Sequence, residues 1–501
     1  KMNLNKRTYH VLGAAVVVFW LVMITSLVRK VHVDTHAGAV GTERSVAQFE
    51  ASSQENWMEI YLDGKKVGYS KNWSSSLKEG YLVEEEIYLK LNILGRQNTL
   101  HVLTRSVLDR AFSLTGFRFR MESGVVAFQA VGEVRGDRMI IDIGEGKLKT
   151  RRAIKLHGAP MTAAAIVPFL RARNMEVGQR LTIPLFDPAT LTAKEMELKA
   201  TAREELMIRG ASYPALKLEA ELWGQEMTFW LDEKGDILKE EGFMGLTLVR
   251  SNAARASMGV EGSGTMDFAE MAAVKTKGRL REPEKITYLK LRAANLEDVE
   301  IGSLHLDGGR QRFNDGVIEV VRETLPDTAP FRRPYEDAPR GLRPYLQPGP
   351  GIESEDEEIV RTALEVAGSI NDPVAASGRL MEWVYKHLEK KPVISIPRAA
   401  DVIRMGAGDC NEHAVLAAAL LRASGIPARV ATGLVHARGK FYYHAWNEVY
   451  LGDWATLDAT MNQMPADATH IKLVQGGLGE QMKIMSLVGK LGLEVLQHGY
   501  D

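Results

Sequence analysis

The residues able to do chemistry lie near the C-terminus. Cys410, the single cysteine among 501 residues, stands within Gly408-Asp409-Cys410-Asn411-Glu412-His413-Ala414. That stretch leads straight into a run, Ala414 to Ala423, that reads as helix. A thiol attacks as its thiolate, and a helix N-terminus stabilises that anion. The competing reading is an inert cysteine, since free cysteine packs as a small apolar residue. The downstream residues favour chemistry. The aromatic, alternating run Phe441-Tyr442-Tyr443-His444-Ala445-Trp446-Asn447-Glu448-Val449-Tyr450-Leu451 reads as a strand. Gly452 and Asp453 turn it back into Trp454-Ala455-Thr456-Leu457-Asp458. His444 and Asp458 then lie on adjacent antiparallel strands, and the register decides whether the carboxylate meets the imidazole.

Such a trio suits acyl transfer. An imidazole takes the thiol proton to give a thiolate–imidazolium pair, and a carboxylate fixes the tautomer of the ring and supports its charge. The acyl group of an amide moves to sulfur, and water or an amine then removes it. Backbone N–H groups at the helix start, that of Cys410 included, are expected to hold the developing oxyanion.

The segments GDCNEHAVLAAALLRASGIPARV, YYHAWNEVYL and WATLDAT closely resemble the bacterial transglutaminase-like (papain-like cysteine peptidase) superfamily. The resemblance runs from about 353 to 475, with three spaced motifs in order. It implies that Cys410 is the nucleophile, His444 the general base and acid, and Asp458 the third, orienting member. Among bacterial members it implies amide hydrolysis somewhat more often than crosslinking.

The neighbouring residues have plainer roles. Asp409 and Glu412 are expected to cap the helix, His413 to be a buried hydrogen-bonded residue, and Arg429 to pair with a carboxylate. Cys410 and His413 have a C-x-x-H spacing that could bind zinc together with His444. No second cysteine pair or nearby carboxylate cluster supports it, so neither metal nor cofactor is expected. Trp383, Trp446 and Trp454 read as core aromatics, one of which could line the acyl site. His436 and His470 receive no role.

The rest of the chain must position this trio. Its length calls for several domains. Apolar content of 45% and charged content of 25% are those of a folded protein. A net charge of −1 gives no reason to expect nucleic acid. From Tyr9 to Val28 the chain is almost wholly apolar, long enough to span a bilayer. Ala37-Gly38-Ala39 would be a poor signal-peptidase site so far beyond the apolar run and behind Arg29-Lys30. The expected order is a cytoplasmic N-terminus (1–8), one transmembrane helix (9–28) and a tether (29–55), with the bulk of the chain extracytoplasmic, or periplasmic.

Alternating strand patterns fill 56–252, with one inserted helix at Met161–Leu170. They predict a large antiparallel β domain, a curved sheet or half-barrel able to hold something apolar on its concave face. In outline it resembles β-rich periplasmic domains found ahead of transglutaminase-like domains in bacteria. A connector (253–283), a small β unit (284–325) and a proline-rich linker (326–352) come next; the linker is expected to wrap over its neighbour. Helical periodicity begins near Ser354 and opens an α+β domain over 353–501.

The chain thus reads as a multidomain, single-span membrane protein whose C-terminal domain is transglutaminase-like. Its expected activity is attack on a peptide or isopeptide amide of a protein or peptide substrate, with hydrolysis slightly preferred over transfer to an amine. A membrane-protein partner is compatible with the anchor. The reading from another class is a tethered binding or assembly protein that works through its β domains, with the triad idle.

Overall fold

The computed structural model describes residues 55–500, apart from 125, 145–148, 157, 174, 223, 243–244, 261, 263, 265 and 297–298. The expected cytoplasmic segment, membrane helix and nearly all of the tether lie outside the described residues. Among the described residues no helix is long and apolar enough to cross a membrane. The chain divides into two compact units, with the break between Asp267 and Phe268.

The first unit is built on a 14-stranded antiparallel sheet among the described residues. From Asn56–Leu62 in the middle, successive hairpins step outward to an edge at Thr150–Lys155. The remaining strands step inward from the other edge, Arg180–Asp187, to Leu246–Ser251, which pairs back onto Asn56–Leu62. Strict alternation drives this. Along Arg96–Leu108, Leu100, Val102, Thr104, Ser106 and Leu108 are buried, while Leu103, Arg105 and Val107 between them face outward.

The sheet curls. The segment before the helix Ile166–Arg173 bonds to both halves: Met161 N–H donates to Pro184 O at 2.7 Å, and Leu114 N–H donates to Pro160 O at 2.7 Å. Phe117 meets Phe186 across the curl, with centroids 5.2 Å apart, and Phe112 meets Phe169 at 5.8 Å. The expected curvature is present, and these aromatics pack into it as core.

In the second unit, Lys275–Lys277, Gly492–Tyr500, Ile286–Ala294, Val317–Val321 and Gln311–Asn314 form a five-stranded sheet in that order. The stretch expected to make a small β unit of its own therefore shares its sheet with the last strand of the chain. The proline-rich segment is fastened to the helices behind it. Arg333 donates to the carbonyls of Ile370, Ala367 and Ser424, and Tyr335 N–H donates to Gly425 O. Phe331 stacks on Tyr335 at 3.9 Å.

Four helices come next in the chain: α1 (Glu357–Ala367), α2 (Pro373–His387), α3 (Ala399–Met405) and α4 (Cys410–Ala423). Asp356, two residues beyond the expected Ser354, caps α1 by accepting from Glu358 N–H and Ile359 N–H. Asp372 caps α2, with Pro373 at the first helical position. A four-stranded sheet completes the unit, formed by β1 (Ala428–Ala437), β2 (Lys440–Tyr450), β3 (Trp454–Leu457) and β4 (Ile471–Gln475) in the order β3-β2-β1-β4. Helix α4 is buried on every side from Cys410 to Arg422, packed between the other helices and strands β1 and β2. Leu416, Leu420 and Leu421 anchor it, each contributing about 1.5–3 kcal/mol by burial.

Candidate active site

Cys410 is the first residue of α4, so the helix starts four residues ahead of the run read from Ala414. Asp409 precedes it as the cap, and a capping box is complete. The Asp409 carboxylate accepts from Asn411 N–H at 3.0 Å and from Glu412 N–H, while the Glu412 carboxylate accepts from Asp409 N–H at 3.0 Å. The other Asp409 oxygen accepts from Val393 N–H, and Ser395 bonds Glu412, so residues 393–395 are tied to the helix start. The cap engages the N–H groups of Asn411 and Glu412. Of the helix-start donors expected for an oxyanion, it leaves that of Cys410.

The thiol is fully buried, and the backbone N–H of Ala445, the residue after His444, favours its charged form. Burial pushes the Cys410 thiol well up, and the Asp409 carboxyl beside it adds to the rise. Asp409 is itself pushed well up, by burial and then by Glu412. The helix N-terminus was expected to favour thiolate, but here burial and the neighbouring acid outweigh it.

The register of β2 and β3 brings His444 and Asp458 together. Asn447 faces Leu457, so Asp458, one residue beyond β3, falls beside the His444 side of β2. His444 Nε2 donates to Asp458 Oδ2 at 2.7 Å, with both side chains fully buried. His444 Nδ1 is buried without a hydrogen-bond partner among the described residues. The Nε2 bond to a carboxylate fixes the tautomer with its proton on Nε2 and an open lone pair on Nδ1.

Asp458 is saturated. Its Oδ1 accepts from Thr460 N–H at 2.7 Å and Met461 N–H at 3.0 Å, as a turn aspartate does. Its Oδ2 accepts from His444 and also from His470 Nε2, at 3.0 Å. Burial opposes its ionisation, yet His444 and His470 hold the carboxyl well below the usual range.

His470 is the participant that the sequence left without a role. It lies just before β4, and its Nδ1 faces Asp467 Oδ1 at 3.3 Å. A signal for it was present: Asp-Ala-Thr occurs twice, at 458–460 and 467–469. Both copies form the same turn, with Asp467 Oδ1 accepting from Thr469 N–H at 2.8 Å. Two such turns close together bring Asp458 and the residue after the second one within reach. Trp446 packs against both rings, with centroids 6.2 Å from His444 and 5.3 Å from His470.

The other expectations are met in part. His413 is buried, with Nδ1 2.6 Å from Asp409 O, and burial pushes its pKa down to about 4. Arg429 pairs with Glu448 at 2.6 Å. Trp446 is a core residue, whereas Trp383 and Trp454 are half-buried. The zinc set imagined from Cys410, His413 and His444 does not assemble. Instead His444, Asp458 and His470 bring three ligand-type atoms within 4.8 Å of one another. Both rings contact the same Asp458 oxygen at hydrogen-bond length, 2.7 and 3.0 Å, which is the arrangement of a proton network.

Comparison with known proteins bears on the segment that carries this geometry. The model of the transglutaminase-like superfamily matches residues 360–459, spanning Cys410, His444 and Asp458. Residues 360–459 are a transglutaminase-like superfamily domain. No curated protein matches the chain. Among solved structures it is similar to a candidate cysteine protease from Cytophaga hutchinsonii, at 21% identity, over 43% of this chain and 86% of that one, with a TM-score of 0.26. A β-barrel-like protein with a domain of unknown function from Brucella abortus matches at 9% identity, over 40% of this chain and 95% of that one, with a TM-score of 0.32. A candidate protease from Parabacteroides distasonis matches at 12% identity, over 71% of this chain and 69% of that one, with a TM-score of 0.19.

Proposed function

We propose that the protein is a membrane-anchored thiol enzyme that attacks peptide or isopeptide amides through Cys410, His444 and Asp458. One observation carries this reading: the two nitrogens of His444 are divided, Nε2 on Asp458 and Nδ1 open, next to Ala445, whose backbone N–H acts on the buried Cys410 thiol. As sulfur attacks the amide carbon, His444 Nδ1 takes the thiol proton. It returns that proton to the departing amine when the C–N bond breaks, leaving a thioester on Cys410. Water then releases a free acid, or an amine forms a new amide. In either case the thiol is restored.

Hydrolysis is the preferred outcome, supported by the resemblance to bacterial members. The chain beyond the apolar segment 9–28 is placed on the extracytoplasmic side, facing a protein or peptide substrate. The test is an assay of model amide peptides with and without an added primary amine, read by mass. Release of free acid as the main product supports hydrolysis. Predominant amine incorporation would make the protein a transferase, and no turnover in either format contradicts the enzymatic reading.

One observation favours the other reading, a binding or assembly protein with an idle triad: Cys410, His444 and Asp458 are all fully buried. If that reading holds, Cys410→Ala leaves biological activity intact and thiol-directed electrophiles do not label the native protein.

A further inference from the structure

His470 has both ring nitrogens aimed at carboxylate oxygens, Nε2 at Asp458 Oδ2 and Nδ1 at Asp467 Oδ1. A neutral imidazole has one donor and one acceptor nitrogen, so one of these contacts would set a lone pair against an anion. Only the doubly protonated ring satisfies both. The ring is fully buried, and its two anions are held in place independently of it. Asp458 is pinned by Thr460 N–H and Met461 N–H, and Asp467 by Thr469 N–H and the Thr469 hydroxyl at 2.6 Å. Arg310, whose side chain is almost wholly buried, donates to the carbonyls of Ala466 and Asp467 and fixes the second turn.

Resting on the reading of Cys410, His444 and Asp458 as the reacting group, we propose that His470 is a positioning residue of that site. Lodged as an imidazolium between Asp458 and Asp467, it anchors the triad carboxylate and, by its charge, keeps His444 a neutral base.

The electrostatics follow from the placement. The rings of His444 and His470 are 5.7 Å apart, with the Asp458 carboxylate bonded to both. An unopposed buried carboxylate would hold a proton on His444 and remove the lone pair that must receive the thiol proton. A fixed cation on the far side of that carboxylate offsets it. Burial opposes charge on His470, but Asp467 and Asp458 together raise its pKa to about 9. The other titratable groups around the network are Cys410 and His413 from α4 and Lys390 ahead of α3, which sense the Asp458 charge, and His436 from β1 and Arg310, which sense that of Asp467. Lys390 and His413 are pushed down overall by burial despite Asp458, whereas His470 is the one of these basic groups that its two carboxylates push up overall.

The test tracks the ring nitrogens of His444 and His470 by 15N NMR on the full chain labelled at histidine, alongside the pH profile of kcat/KM. His470→Gln keeps an N–H toward Asp458 but removes the charge. The midpoint of His444 protonation is expected to rise by about one pH unit or more in this variant, with the acid limb of the profile moving alike. A fall in rate with an unmoved His444 midpoint would show a merely structural role and overturn the proposal. Asp467→Asn is the second variant, independent of whether the first one folds. It is expected to lower the His470 midpoint by about one unit, and an unchanged midpoint overturns the proposal. If both midpoints shift as expected while no amide is cleaved, the role of His470 stands and the enzymatic reading falls.

Discussion

At the scale of single residues, the site depends on which nitrogen of His444 is free. Replacing Asp458 by Asn removes the anion that fixes the tautomer and is expected to lower kcat by about 10²–10⁴-fold, read in an amide-release assay. The buried histidines also set the pH dependence of stability. His470 has a raised pKa of about 9, so the stability it contributes is fully present below its unfolded value near 6.5 and is lost as pH rises through 9. His413 and His436 are held down to about 4 by burial, so their contribution is present above about 6.5 and is lost as pH falls toward 4. The thermal stability of wild type is therefore expected to fall on both sides of about pH 6.5. In His470→Gln the alkaline decline should flatten while the acid one remains. The strand and turn that bring His444 to Asp458, and the helix start at Cys410, were legible in the sequence because local motifs carry them. His470 was not, because its part depends on two loops folding back onto the same carboxylate.

At the scale of elements, the site rests on a helix start and a sheet edge. The Asp409 cap and its return bond from Glu412 close the N-terminus of α4, and Asp409→Ala is expected to cost about 1–2 kcal/mol in denaturant unfolding. Gly433 lies opposite His444 in the β1–β2 ladder and opposite Lys472 in β4. A Cβ at Gly433 would lie 1.9 Å from Ile471 O, so Gly433→Ala must push β4 away and carry the adjoining His470 with it. Activity is expected to fall more in this variant than in Gly378→Ala within α2, where the backbone is helical and a Cβ meets nothing within 4 Å. The helices and strands were readable from their periodicity. The five-stranded sheet was only partly readable, because Gly492–Tyr500 carries no motif and pairs with Ile286–Ala294 some 200 residues earlier in the chain. Local pattern shows that a strand exists but does not name a distant partner.

At the scale of the whole molecule, each unit has its own logic. The first is a curled sheet whose concavity is packed with aromatics. In the second, the small sheet reaches into the site's supports. Arg310 clamps the Asp467 turn, and Gln311 exchanges hydrogen bonds with the backbone of Lys472 in β4, each at 2.8 Å. The buried Arg310–Glu323 pair makes that link sensitive, and Arg310→Ala is expected to destabilise the protein by about 3–5 kcal/mol. Placement at a membrane is a separate matter, proposed from the apolar run 9–28. Deleting residues 1–30 should move the protein from the membrane to the soluble fraction while leaving its unfolding temperature unchanged.

The central claim is that Cys410 is a nucleophile activated by His444, and covalent labelling addresses this directly because the chain has one cysteine. The native protein would be treated with a peptidyl vinyl sulfone and its intact mass recorded over time, beside His444→Ala and a denatured control. The expected result is a single adduct at Cys410 that forms readily in native wild type and at least about 10²-fold more slowly in His444→Ala. Equal rates in the two proteins, or no adduct in the native wild type, would contradict the claim.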